Sequence, residues 1–169
     1  FLGYGSKIAR WSTVHLHDVL EPAHVPDFAG ANGSILATVT DASGNLYVGG
    51  SFTSIGGISA NRVAFWTRSD GQWHSLGSPS NGMNGTVRAL VLDGSTLYAG
   101  GDFTTAGSAS AGYVARWNGT TWSPLGSGVN ARVNALAVSA SGILYAGGEF
   151  TSAGGVSGRR GRRGRGGVG

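Results

Sequence analysis

The sequence predicts an all-β fold assembled from repeated four-stranded antiparallel sheets. Three observations carry that prediction. One stretch occurs three times, as LYVGGSFTSIGG from Leu46, LYAGGDFTTAG from Leu97 and LYAGGEFTSAGG from Leu144. It is one of four short strand-like segments that make up a unit, and the copies start 51 and 47 residues apart. The composition, 32 glycines in 169 residues with 12% charged, suits short strands and many turns, and no long stretch has apolar residues at i, i+3, i+4 and i+7. A four-stranded unit repeating every ~40–50 residues is the signature of β-propeller blades.

The first strand of the unit is SILATVT at 34–40, TVRALVL at 86–92 and RVNALAV at 132–138. Apolar residues occupy alternate positions and several intervening ones, such as Leu90 and Leu136, which predicts a strand buried on both faces. Tight turns follow at 41–45, 93–95 and 139–142, where Gly and Asn accept positive φ. The second strand is LYxGGxF itself. The third reads NRVAFW at 61–66 and YVARWN at 113–118, and the fourth QWHSLG at 72–77 and TWSPLG at 121–126.

The ends depart from this rule. KIARW at 7–11 matches the third strand, so the chain opens halfway through a blade, on Phe1 rather than a methionine, and is expected to be part of a longer protein. Past Gly155 the next VARW does not come, and VSGRRGRRGRGGVG stands in its place. The expected division is therefore a partial blade with an insertion loop (1–33), blades at 34–85 and 86–131, a partial blade (132–155) and a disordered Arg/Gly-rich tail (156–169). That is about three blades' worth in an open arc, short of the roughly 4–8 blades of a closed ring. Its truncated edges predict self-association, because an unpaired strand and an uncovered blade face are sticky.

Net charge excludes little until it is located. The overall +4 comes from five tail arginines, Arg159, Arg160, Arg162, Arg163 and Arg165; without them 7 basic residues face 8 acidic ones. Polyanion or RNA binding is thus confined to the tail, whose alternative readings are an unstructured end or a shifted reading frame. No cysteine is present, which excludes disulfides, thiolate metal sites and a cysteine nucleophile. No apolar run reaches the ~18 residues of a membrane-spanning helix.

The connection at 12–33 is the most ligand-like segment, because Trp11 and Ile35 are 24 residues apart against 21 for Trp66 to Val87 and 16 for Trp117 to Val133. Within it His15, His17, Asp18 and His24 are the metal-ligand candidates, His15 and His17 sharing a face if the chain is extended. No recognised metal spacing is matched, and no catalytic residue or cofactor is expected. The pairs Gly49-Gly50, Gly100-Gly101 and Gly147-Gly148 follow a strand rather than precede a helix, so they are read as permitting a bulge or close backbone approach, not as cradling phosphate. Tyr47, Tyr98 and Tyr145 with Phe52, Phe103 and Phe150 recur once per unit and are expected between neighbouring blades, and the repetition of Trp66, Trp73, Trp117 and Trp122 points to blade packing rather than to stacking on sugars. Residues 41–45 read as a hairpin turn rather than a calcium loop. Asn32, Asn84 and Asn118 open N-glycosylation sequons, and each is also an Asn-Gly turn.

The pattern GxVxALxV, LYxGGxFTxxGG, VARWNG and WSPLGSGVN, over residues 35–155, resembles the kelch-like, galactose-oxidase-type propeller repeats, and is most similar to those of fungal cortical polarity-marker proteins and secreted bacterial repeat proteins. The resemblance implies an extracellular or cell-surface scaffold. Galactose oxidase needs two copper-binding histidines and a tyrosine joined to a cysteine, and that chemistry does not carry over to a chain without cysteine. The expected function is a non-catalytic interaction or display scaffold binding protein or glycan partners through its loops. The competing readings are a piece of a larger propeller hydrolase or oxidase with its catalytic residues elsewhere, and polyanion binding by the tail.

Overall fold

The computed structural model describes residues 30–77 and 82–157. The first unit comprises β1 (Ile35–Thr40), β2 (Leu46–Gly50), β3 (Ser54–Ile55), β4 (Ile58–Ser59), β5 (Val63–Trp66) and β6 (Trp73–Ser75). The second comprises β7 (Val87–Asp93), β8 (Thr96–Gly101), β9 (Thr105–Ala106), β10 (Ala109–Ser110), β11 (Val114–Trp117) and β12 (Trp122–Pro124). The third supplies β13 (Val133–Val138), β14 (Leu144–Gly148), β15 (Ser152–Ala153) and β16 (Val156–Ser157). The sheets β1-β2-β5-β6 and β7-β8-β11-β12 are antiparallel, and β13 pairs with β14 alone. In each unit a two-residue hairpin (β3–β4, β9–β10, β15–β16) stands apart from the main sheet. Because β7 lies against both β1 and β13, successive sheets stack with their first strands side by side. The described sheets form a partial β-propeller that does not close.

The double glycine explains how the sheets approach one another. A Cβ on Gly49 in β2 would fall 2.5 Å from Val87 Cγ1 and 3.3 Å from Leu90 Cδ1 of β7. A Cβ on Gly100 in β8 would meet Val133 Cγ1 at 2.5 Å and Leu136 Cδ1 at 3.3 Å, both on β13. The first glycine of the pair is thus the hollow into which the next sheet seats a valine and a leucine. The second serves its own sheet: a Cβ on Gly50, Gly101 or Gly148 would lie 1.9, 2.0 or 2.1 Å from the carbonyl oxygen of Ser34, Thr86 or Arg132. Opposite these glycines the register slips, between Ile35/Ala37, Val87/Ala89 and Val133/Ala135, as a β-bulge requires. The bulge also ends the second strand at its glycine. The phenylalanine expected within that strand lies beyond it, where the turning chain drives Phe52 and Phe103 into full burial and leaves Phe150 half-buried.

Two apolar clusters result. One lies within the first unit and contains Val48, Phe52, Ile55, Ala64 and Trp73, with Trp66 packed against it. The larger joins the first and second units through Leu76, Met83, Val87, Leu97, Phe103, Trp117 and Trp122. Each large side chain so buried contributes roughly 1.5–3 kcal/mol. Trp122 also donates from Nε1 to Leu76 O at 3.1 Å, which ties β12 to the end of the first unit, and its ring meets that of Trp117 at 5.4 Å. Gly56, at φ +58°, is the turn of β3–β4 and lies against Trp73, whose Cδ1 would be 2.1 Å from a Cβ there.

Two expectations are corrected. The first strand is not buried on both faces in every unit: β1 alternates half-buried with exposed positions, and Leu36 is 49% exposed. Among the described residues nothing lies on the far side of β1, whereas β7 sits between two sheets and buries Val87 and Ala89. Tyr145 likewise is 58% exposed, although its counterparts Tyr47 and Tyr98 are half-buried, because no described sheet covers β14. For the same reason a Cβ on Gly147 would find only Ala135 Cβ, at 4.0 Å.

Gly49→Ala is therefore expected to cost about 1–3 kcal/mol, the usual range for an added methyl in a filled space. Gly147→Ala in the same chain should stay within about 0.5 kcal/mol of the parent. Urea unfolding measures both, and equal losses would show that the first glycine of the pair is not selected by the neighbouring sheet.

Candidate functional site

Antiparallel pairing places the connections of the propeller at two ends. At one lie the β1–β2 turn (41–45), the β7–β8 turn and the β13–β14 turn, together with the β5–β6 turn (67–72) and the β11–β12 turn (118–121). At the other lie the residues after each double glycine and the segments that lead into β1, β7 and β13.

At the hairpin-turn end, Asp41 holds its turn closed. Its carboxylate accepts from the backbone N–H groups of Ser43 and Asn45, from Asn45 Nδ2, each at 2.9 Å, and from Tyr47 Oη at 3.4 Å. Burial pushes this carboxyl up, but the hydrogen bonds from Asn45, Ser43 and Tyr47 outweigh it and hold the pKa below the ordinary value. Burial, and then the Asp41 charge, raise that of the Tyr47 hydroxyl. The oxygens that a calcium ion would need are thus committed to the turn. Asn45 Oδ1 accepts from Arg68 N at 3.0 Å, and Ser43, Asn45, Arg68 and Ser69 line a shallow open groove between two turns.

The adjoining turn gathers Thr67, Asp70 and His74. The Thr67 hydroxyl donates to Asp70 Oδ1, Asp70 Oδ2 lies 2.9 Å from His74 Nε2, and the same Nε2 is 3.5 Å from Thr67 Oγ1. A nucleophile relay needs one imidazole nitrogen on the hydroxyl and the other on the carboxylate. Here one nitrogen faces both, and the hydroxyl already gives its proton to the carboxylate, so the cluster braces a turn and relays nothing. The His74 ring packs on Phe65, centroids 5.1 Å apart.

The hydrogen bond from Thr67 first, then that from Gln72 N at 2.9 Å, with a smaller contribution from His74, hold the Asp70 carboxyl below the ordinary 3.8. A folded pKa below the unfolded one gives stability that is fully present above 3.8 and is lost as the pH falls through the folded value. The turn should therefore loosen only in acid. Carboxyl titration by NMR is expected to show Asp70 with a midpoint below 3.8; a midpoint at or above it would remove this brace.

The opposite end carries a charged chain that crosses from the second sheet to the third. Arg88 Nη2 lies 2.9 Å from Asp102 Oδ2, Arg132 Nε 2.9 Å from Asp102 Oδ1, and Arg132 Nη1 3.4 Å from Glu149 Oε1. The Asp102 hydrogen bond raises the Arg88 pKa further. Asp102 and Glu149 both follow a double glycine, where the first unit has Ser51. This variation at a fixed repeat position is the sequence signal by which the network could have been found.

A second feature of this end repeats in all three units. Asn32 Oδ1 accepts from Thr53 N (2.7 Å) and Ser54 N (3.0 Å) while Nδ2 donates to Thr53 Oγ1 (2.8 Å). Asn84 makes the same bonds with Thr104 and Thr105 at 2.8, 2.9 and 2.9 Å, and Asn130 with Thr151 and Ser152 at 2.9, 3.0 and 3.0 Å. Each asparagine clamps the chain that leaves the bulge.

Among the described residues no group of three or more His, Asp or Glu could hold a metal ion. The candidate ligands His15, His17, Asp18 and His24 lie outside the described residues, as do the tail arginines Arg159, Arg160, Arg162, Arg163 and Arg165. No helix among the described residues is long and apolar enough to cross a membrane.

Residues 16–123 match the family model described as the Rax2 C-terminal beta propeller domain. The chain is 36% identical over 108 residues to polarized growth protein L1 of Phoma sp., covering 60% of this chain and 8% of that protein. It is 30% identical over 122 residues to polarized growth protein rax2 of Schizosaccharomyces pombe, covering 70% of this chain and 10% of that protein. The chain thus spans a tenth or less of the curated relatives it matches.

Proposed function

From the premise that the chain belongs to the Rax2 C-terminal β-propeller family, we propose that it is a non-catalytic interaction scaffold at the cell surface of a polarized-growth protein. It takes protein or glycan partners through its loops. The observation that carries this reading is how the repeat is spent. Gly49 and Gly100 are hollows for the next sheet, Gly50, Gly101 and Gly148 are pressed on their own sheet's backbone, and Phe52, Phe103 and three of the recurring tryptophans are buried. The turns are open to a partner, and there Arg68 and His74 present charge and ring surface beside the groove of Ser43, Asn45 and Ser69. Loops on a rigid scaffold are where binding residues concentrate.

The relatives' names supply the process, polarized growth, and their length supplies the context of a much larger protein. The test is binding of fungal surface proteins and a wall-glycan panel to the purified chain, parent against Arg68→Ala with Ser69→Ala. The reading expects saturable binding that the double variant loses while its melting curve is retained. Binding that ignores the turn substitutions would sink the loop assignment, and turnover of any panel member would overturn the non-catalytic reading.

A further inference from the structure

Three segments of the chain read Asn-Gly-Ser/Thr, at Asn32, Asn84 and Asn118, and the structure treats them differently. At Asn32 and Asn84 the amide nitrogen that would carry a sugar already gives one of its two hydrogens to Thr53 Oγ1 at 2.8 Å and Thr104 Oγ1 at 2.9 Å. The other end of each amide holds two backbone N–H groups. The middle residue of each sequon is also pressed against the chain: a Cβ on Gly33 would lie 2.9 Å from Phe52 Cα, and one on Gly85 would lie 2.7 Å from Asp102 O. Neither segment can rise from the surface without opening the clamp.

Asn118 is built the other way round. It sits in the exposed β11–β12 turn, with Gly119 at φ +99° and open space around it. Its Oδ1 accepts from Thr120 N (3.0 Å), Thr120 Oγ1 (3.0 Å) and Thr121 N (2.8 Å). Among the described residues its Nδ2 donates to nothing and points no bond back into the fold. The hydroxyl of the sequon threonine therefore bonds the amide oxygen and leaves the nitrogen accessible on the exposed side of the turn.

We infer that Asn118 is an N-glycan acceptor of the folded chain, and that Asn32 and Asn84 are structural asparagines despite their sequons. The inference rests on the cell-surface reading above, which takes the protein through a secretory route. The donor is a lipid-pyrophosphate-linked oligosaccharide. Asn118 Nδ2 forms a bond to the sugar C1, the C1–O bond breaks, the lipid pyrophosphate leaves with the electron pair, and one amide proton passes to the transferase. The glycan then projects from the hairpin-turn end. A glycan added to Asn32 or Asn84 before folding would leave the nitrogen one N–H, so the clamp could form only with the sugar on the side facing away from the threonine.

The experiment is transfer in vitro, with a single-subunit oligosaccharyltransferase and lipid-linked oligosaccharide offered to the folded chain and to a heat-unfolded sample, read by glycopeptide mass spectrometry. In the folded chain the occupancy at Asn118 is expected to exceed that at Asn32 or Asn84 by roughly tenfold or more, since either clamp must lose three hydrogen bonds to react. In the unfolded sample the three sites should become comparable. Thr120→Ala should abolish the folded chain's glycan and leave its melting curve unchanged. Equal occupancy of the three sites in the folded chain, or an unmodified Asn118 there that is modified after unfolding, overturns the inference. Whether the protein isolated from its own cell carries a glycan is a separate measurement. Its absence there, with the in vitro pattern intact, would count against the secretory route and not against the choice of site.

Discussion

Gly101→Ala is expected to destabilise the chain by about 3 kcal/mol or more, at or beyond the upper end of the usual cost of overpacking. The added Cβ would stand 2.0 Å from the Thr86 carbonyl oxygen and 3.0 Å from Val87 Cα. Both neighbours are backbone, so no rotamer change can make room. The Thr86 carbonyl also accepts from Asp102 N at 2.8 Å, and moving the two strands apart would break that bond and unseat Phe103 beside it. The control is Gly94→Ala in the β7–β8 turn. There φ is +57° but nothing lies within 4 Å of the new Cβ, so the cost should be the ~1–2 kcal/mol of left-handed backbone alone. Chemical denaturation of the two variants separates steric exclusion from backbone conformation, and a Gly101→Ala loss no larger than that of Gly94→Ala would refute the close-approach account.

Phe103→Ala should be as severe, at about 3–5 kcal/mol. The ring is fully buried in the cluster that also holds Leu76, Met83, Val87 and Trp122, contributed by both four-stranded units and the connection between them. Truncation empties a space that neither sheet can fill without shifting against the other. The effect should therefore be seen as loss of a single cooperative transition, with near-ultraviolet signals of Trp117 and Trp122 changing along with stability. Phe150→Ala, at a half-buried position of the third unit, should cost distinctly less, and equal losses would argue against the cluster as the seat of stability.

The strand order was legible because it rests on local signals: alternation over six or seven residues, Gly and Asn at turns, and repetition that marks each copy. The bulge was legible in outline, since two adjacent glycines in a strand demand a close approach. Which glycine faces which neighbour was not, because Gly49 answers to Val87 and Gly50 to Ser34, and only the stacking of sheets decides it. The hairpins β3–β4, β9–β10 and β15–β16 escaped notice because two-residue strands have no periodicity to read. The asparagine clamps escaped because each joins residues 20 or more positions apart, and an Asn-Gly pair looks the same whether it turns the chain or holds a loop. The exposure of Leu36 and Tyr145 reflects what lies beside a strand, which the strand's own residues do not encode.

The open hollow at Gly147 bears on the order in which the molecule comes apart. Where Val87 and Val133 fill the hollows at Gly49 and Gly100, opening one sheet means unkeying its neighbour, so those sheets share a fate. In an array whose units are coupled only to their neighbours, both end units are keyed on one side alone, and of these the third, with two strands in its sheet among the described residues against four in the first, has the least to lose. Within the described residues the hairpin β13–β14 should thus fray first, its amide protons exchanging with solvent while those of β8 stay protected. A partner that seats an aliphatic side chain at Gly147 would slow that exchange along the stack, so occupancy at one edge would register as rigidity several strands away.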